Sequence, residues 1–328
     1  MKPRPESKHR GRGGLSRRQF MKRSGAATLA AVAAPAIIPA SALGLDGHVA
    51  PSNRIVMAAI GVGGQGSHNM RALTSQPDTQ MVAVCDVDTT HLAAAKQWVE
   101  EYYANANDAD YKGCETYNDF REVIARDDID AVTVCTPDFW HAVISVAAAK
   151  AGKDMYCEKP LANTVQEGRA VVDAVNRYGR VLQTGSHERS RENARYAAEL
   201  VRNGRIGKLK EIHCNMPVDH DDVGLQPPMP VPDTLDYDMW LGPCPHEPYT
   251  EKRCHFYFRY ILDYSGGEMT DRGAHVMDLA QLGHNTDHTG PQTIEGQGRF
   301  LKNSLFNTAV EYNLTYTFAD GVPMYTRS

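Results

Sequence analysis

From residue 53 onward, short runs of consecutive apolar residues alternate with stretches whose apolar positions recur every three or four residues. The runs at 55–60, 81–85, 131–135, 155–157 and 181–184 are too short for helices and are bounded by turn-forming residues, which marks them as strands. Between them, 67–74, 91–102, 140–151 and 165–178 carry the helical period. Strands that are apolar on both faces, each followed by a helix, predict a parallel sheet covered on both sides. Beyond about Glu188 the pattern changes. A helix over 193–202 leads through Asn203-Gly204 to a strand over 209–215, then to a Pro-rich, aromatic stretch over 217–249. A short helix follows Gly266-Gly267, and alternation returns over 311–318. The fold class is therefore α/β, with a doubly wound domain over 53–186 and an α+β domain over 187–328.

The first 42 residues stand apart. They hold nine of the Lys and Arg residues and one acid, then an Ala-rich apolar run over 25–38 interrupted by Pro35, and Ala40-Ser41-Ala42. Charge, apolar stretch and small residues in that order are an export signal, and the run is too short and broken for a stable membrane span. Ser16-Arg17-Arg18-Gln19-Phe20-Met21-Lys22 resembles the twin-arginine signal, with Met21 at a position usually held by Leu. The competing reading, a basic tail, needs neither the apolar run nor the cleavage pattern. The resemblance implies passage through the twin-arginine (Tat) export machinery in a folded state, to a periplasmic or other extracytoplasmic location.

Composition narrows the rest. With 42% hydrophobic and 23% charged residues in 328, neither wholesale disorder nor a multi-span membrane protein fits. After residue 42 the chain carries 26 Lys and Arg against 39 Asp and Glu, a net −13, and no basic cluster, so nucleic acid is a poor partner. The seven cysteines include no C-x-x-C pair, and Cys85, Cys135 and Cys157 fall in apolar strands, as small core residues do. A Cys244–Cys254 disulfide stays open at this point.

Gly61-Val62-Gly63-Gly64-Gln65-Gly66 directly follows the first strand and opens a helix. Glycine serves there for the tight turn, for backbone approach to a pyrophosphate, and for close helix–strand packing. The helix N-terminus then offers free N–H groups to the phosphates. Asp86 lies twenty residues after Gly66, at the end of the second strand. A carboxylate there accepts from ribose hydroxyls and repels a 2′-phosphate, so the cofactor reading is NAD over NADP.

Two further motifs sharpen this. Cys135-Thr136-Pro137-Asp138-Phe139-Trp140-His141 leads to Glu158-Lys159-Pro160, and later comes Gly266-Gly267-Glu268-Met269-Thr270-Asp271-Arg272-Gly273-Ala274-His275. With the Gly turn, these resemble the Gfo/Idh/MocA family of nicotinamide-dependent oxidoreductases. The resemblance implies a Rossmann domain followed by an open, mostly antiparallel sheet, an assembly of identical chains (a homo-oligomer), and a sugar or polyol substrate. By the same resemblance Lys159 falls on the active-site lysine, Asp271 and His275 on the catalytic Asp and His, and Thr136, Pro137, His141 and Glu158 on cofactor-lining positions. Relatives usually continue well past Gly321 with more strands, so an end at Ser328 implies a shortened sheet or an incomplete chain.

The residues support those roles by their own chemistry. Asp271 and His275, at i and i+4, are expected on one helix face, the imidazole as proton acceptor and the carboxylate orienting it. Lys159, just past a strand end, suits a developing alkoxide. A helix-surface ion pair and a solvated lysine are the bland alternative. His187 is read as either a site or a structural residue. Trp240, Tyr249, Phe256, Tyr257, Phe258 and Tyr260 are read as core more than as a sugar-stacking wall. His213, His220, Asp221, Asp222, His246 and His255 lack a compact ligand spacing, so no metal is expected.

The expected activity is hydride transfer between a sugar or polyol hydroxyl and tightly bound NAD. Two alternatives accompany it: an NAD-dependent glycosidase that oxidises, eliminates and reduces, and a sugar sensor without catalysis. The resemblance includes exported α-N-acetylgalactosaminidases, but that subgroup lacks the lysine of E-K-P, so Lys159 favours the dehydrogenase. Elimination also needs a second base, for which the sequence offers His187 and Tyr264.

Overall fold

A computed structural model of the chain describes residues 49–106, 113–217 and 220–328. The export-signal reading lies outside them. Of the stretch ending at Asn53, the described part holds one 3-10 turn, Pro51–Asn53. Everything below concerns the unit Arg54–Ser328.

Its first half alternates β1 (Ile55–Ile60), α1 (Gly64–Thr74), β2 (Thr79–Cys85), α2 (Thr89–Ala106), β3 (Glu115–Tyr117), α3 (Phe120–Ile124), β4 (Ala131–Val134), α4 (Asp138–Lys150), β5 (Asp154–Cys157), α5 (Val165–Tyr178) and β6 (Leu182–Thr184). The strands form one parallel sheet in the order β3-β2-β1-β4-β5-β6. Chain direction across the sheet reverses between β1 and β4, which opens a crevice beyond their carboxyl ends, where ligands bind in doubly wound sheets. Ala58, Ala59 and Ile60 of β1 and all four residues of β4, Thr133 included, are buried, as their mostly apolar runs predict. Local chemistry sets several boundaries. Thr164 and Glu167 form a capping box at the start of α5, and Gly179, at φ 62°, ends that helix.

The second half contributes α6 (Glu192–Arg202), β7 (Ile212–Asn215), α7 (Tyr237–Leu241), α8 (Glu268–Asp271), α9 (Gly273–His284), β8 (Thr293–Phe300), β9 (Ala309–Thr317) and β10 (Pro323–Arg327). Its sheet runs β7-β10-β9-β8, antiparallel apart from the β7–β10 pair. Cys214, Phe318 and Met324 pack beneath Val276, Met277 and Ala280 of α9. The larger core crosses between the halves. Phe139 and Trp140 of α4 pack with Trp240 and Tyr264, and the Trp140 indole N–H donates to the Trp240 carbonyl at 3.0 Å. Trp240, Tyr249, Phe258 and Tyr260 are buried, while Phe256 remains 59% exposed. All seven cysteines, Cys244 and Cys254 included, are free thiols.

Asp271 closes α8 and His275 lies in the first turn of α9. Arg272 between them has helical dihedrals (φ −74°, ψ −39°), its amide donates to the Glu268 carbonyl, and the His275 and Val276 amides both donate to its own carbonyl, so the backbone turns on in helical geometry.

Candidate functional site

One cavity of about 700 Å³ opens at the β1/β4 crevice and touches every residue expected to hold the cofactor or act in catalysis, from the Gly turn to His275. That is an ordinary size for a small-molecule or cofactor site.

At one end stands the Gly turn. Gly61 has φ 79°, and a Cβ on it would lie 2.6 Å from the Cys135 carbonyl. A Cβ on Gly66 would sit 1.9 Å from the Gly61 carbonyl oxygen, so helix α1 and strand β1 approach as closely as backbones allow. No side chain caps α1, and no acid lies in its first turn, so its positive end is left for a ligand. Gly63 and Gly64 form the open lip of the turn. Asp86 closes it from the side: one oxygen accepts from the Val62 amide and the other from the Asp88 amide, both near 2.8–2.9 Å. His91 of α2 lies 3.5 Å from the same carboxylate, which raises its pKa above the ordinary imidazole value against the opposing effect of burial.

The cavity floor is formed by the loops after β4 and β5. His141, almost fully buried, is fixed between the Thr136 carbonyl (2.8 Å) and the Pro160 carbonyl (2.6 Å) and so ties the two loops together. Pro137 precedes α4 as its N-cap, and the Thr136 hydroxyl is buried without a protein partner. Glu158 is 4% exposed. One of its oxygens accepts from the Asn69 amide at 2.7 Å and the other from the Lys159 N–H at 3.1 Å. Gln65 in turn donates to Asn69 at 2.9 Å, so a chain of hydrogen bonds runs from the Gly turn to the Glu-Lys-Pro loop. The sequence reading missed Asn69; its one signal is position, three residues past Gly66 on the same helix.

At the far end the Lys159 ammonium donates to the Asp271 carboxylate, and Arg259 approaches that carboxylate from the other side at 3.4 Å. Burial pushes the Asp271 carboxyl upward, but the two cations outweigh it and hold its pKa below the usual value. The carboxylate thus turns to Lys159 and Arg259, and the expected arrangement in which it orients the imidazole one turn on is replaced. The two cations are the physical reason, since they attract the carboxylate more strongly than a neutral ring does. His275 instead meets His187, with ring centroids 4.5 Å apart, and the Nδ1 of each ring is buried without a partner. Burial first, then the Lys159 charge and His187, lower the His275 pKa below 6.5, against the weaker pull of Glu188 and Asp271. Tyr264, the other base considered for an elimination, is fully buried and bonded to Arg253 at 3.1 Å.

A dinucleotide fits this cavity on three counts: the uncapped helix end, the Gly66 approach that no Cβ permits, and the unpartnered Thr136 hydroxyl. Fold and site together define a Rossmann-type dinucleotide-binding protein with a second, sheet-based domain completing the cavity. Residues 55–186 match the profile of an oxidoreductase family with an NAD-binding Rossmann fold, and residues 221–326 match the C-terminal alpha/beta domain of the same family. The chain belongs to the Gfo/Idh/MocA oxidoreductase family.

It is 30% identical over 214 residues to an alpha-N-acetylgalactosaminidase of Shewanella oneidensis, a match covering 60% of this chain and 44% of that protein. The chain spans about half the length of the curated relatives it matches. Among solved structures it is similar to GenD2 from gentamicin A biosynthesis in complex with NAD, at 18% identity and TM-score 0.63, over 85% of this chain and 67% of that one. It is also similar to the WlbA dehydrogenase from Bordetella pertussis in complex with NADH and UDP-GlcNAcA, at 16% identity and TM-score 0.63, over 84% and 71%. No described helix is long and apolar enough to cross a membrane.

Proposed function

We propose that the protein oxidises a hydroxyl of a sugar or polyol, with NAD held in the cavity beyond β1 and β4. The observation that carries this reading is the continuity of one cavity from the Gly turn and Asp86 to Lys159 and His275. NAD, when bound, supplies the acceptor for a hydride from the substrate carbon. The chain's own groups handle the proton and the charge. His275, neutral at pH 7 because its pKa is lowered, takes the hydroxyl proton. The Lys159 ammonium stabilises the oxygen as it becomes negative, and Asp271 with Arg259 keeps that ammonium in place. The exposed face of Phe256 offers a surface for a sugar ring. Asp86 favours NAD over NADP.

A second reading draws on one specific observation: His187 stands against His275. Two imidazoles at one site can divide the labour of an NAD-dependent glycosidase, one taking the hydroxyl proton and the other the proton α to the new carbonyl. Likeness to an alpha-N-acetylgalactosaminidase supports it; the lysine at 159 favours the dehydrogenase. The export signal, if used, puts the enzyme where free NAD is scarce, so the cofactor stays bound in either case.

Purified protein, its bound nucleotide identified, separates the two. A dehydrogenase given a sugar and no second substrate completes one turnover and stalls with reduced cofactor; a carbonyl acceptor restarts it. Sustained release of aglycone from a chromogenic glycoside without an acceptor overturns the dehydrogenase in favour of the glycosidase. His187→Ala then loses aglycone release while keeping single-turnover reduction.

A further inference from the structure

We propose that Asp88, His91 and His255 form a site for one divalent transition-metal cation of the zinc class, at the rim of the cavity beside Asp86. One ligand atom from each lies within 4.8 Å of the other two, the only such group among the described residues. Tetrahedral zinc at bond lengths near 2.0–2.2 Å holds its ligand atoms roughly 3.4 Å apart. Closure therefore asks for little more than about 1 Å of movement at the ends of rotatable side chains. Two imidazoles and a carboxylate with a fourth position open to solvent are an ordinary zinc ligand set.

Each ligand is already oriented. One Asp88 oxygen accepts from the Thr90 amide at 2.8 Å, and the other faces His255 Nε2 at 3.8 Å. The Nδ1 of His91 faces Asp86 at 3.5 Å, so a second carboxylate backs the imidazole and Nε2 is left to ligate. That carboxylate–imidazole relay is the usual support of a metal-bound histidine. Asp86 is itself held by two amides. His255 adopts φ 54°, a left-handed backbone that few residues other than glycine take, and its ring meets His91 edge-on at 5.4 Å. The dipole at the N-terminus of α2 opposes a cation with roughly half a charge, and Asp86 and Asp88 together outweigh it. Asp88 immediately precedes α2 and His91 lies in its first turn, whereas His255 comes from the second half of the chain, so no spacing in the sequence announces the trio. A bound cation would join the two halves beside the backbone bonds Thr89 N–Thr234 O and Asp236 N–Val87 O.

The test uses the full chain, tag-free, stripped of nucleotide and treated with chelator. Equilibrium dialysis against Zn²⁺ should give one ion per chain, and Co²⁺ should give the visible ligand-field bands of a four- or five-coordinate site. His91→Ala and His255→Ala should abolish both signals, and Asp86→Asn, which removes the backing charge and keeps one oxygen to accept a backbone amide, should weaken binding about 10–100-fold. His213→Ala, an exposed histidine elsewhere, should change nothing. His255→Gly keeps the left-handed backbone without strain and serves if the alanine variant fails to fold. A wild-type chain with no visible Co²⁺ band, or equal Zn²⁺ binding by wild type and the His255 variants, overturns the site.

Discussion

Replacing Asn69 with Leu should loosen the Glu-Lys-Pro loop by a calculable amount. The Asn69 amide donates at 2.7 Å to a Glu158 carboxylate that is 4% exposed, and Asn69 itself is 8% exposed. Leucine keeps most of the volume and removes the donor, leaving that oxygen without its charge-assisted bond while the other oxygen retains only the Lys159 amide. A hydrogen bond to a buried charge contributes about 1.5–3 kcal/mol. At about 2 kcal/mol the unfolding constant rises roughly 30-fold. For a body of this size the melting midpoint should fall by about 3–4 °C. Urea unfolding followed by tryptophan fluorescence measures this, since Trp140 and Trp240 both lie in the core that unfolds. The same substitution in a Glu158→Gln background should cost less, because the charge it serves is gone; the cycle isolates the coupling. Lys159 follows Glu158 directly, so turnover should drop with stability. An Asn69→Leu chain within about 0.5 kcal/mol of wild type would show that the carboxylate finds another donor and that this bond does not hold the loop.

Gly66→Ala should abolish dinucleotide binding even if the chain folds, since the new methyl meets a backbone oxygen at 1.9 Å and only separation of α1 from β1 relieves it; retained nucleotide in the purified variant would refute this. The proton-accepting form of His275 is the neutral one, and its pKa is lowered from 6.5, so single-turnover rates should be flat across neutral pH and fall only below 6.5; an acid limb above that value removes His275 as the base. Arg17→Lys with Arg18→Lys should stop export, because the signal is read through guanidinium groups and not charge alone; fractionation showing both forms outside the cytoplasm would end the twin-arginine reading.

What the chain determines by itself is local. The mostly apolar runs at 55–60 and 131–134 call for a sheet covered on both faces, and the structure buries 57–60 and 131–134 so. The Gly turn followed by a helix, and Asp86 at the end of β2, are likewise legible, because turn, cap and strand end are set by neighbours within a few residues. Side-chain partners at long separation are not encoded that way. The i,i+4 spacing of Asp271 and His275 suggested a pair, yet the carboxylate goes to Lys159, 112 positions away, and the imidazole meets His187. Asn69 reaches Glu158 across 89 positions, and His255 reaches Asp88 from the other half of the chain. Such meetings depend on strand order and on the angle at which each helix crosses its sheet. Those are properties of packing, and a periodic pattern of apolar residues, which specifies which face turns inward, leaves open which polar groups come to face each other once it has.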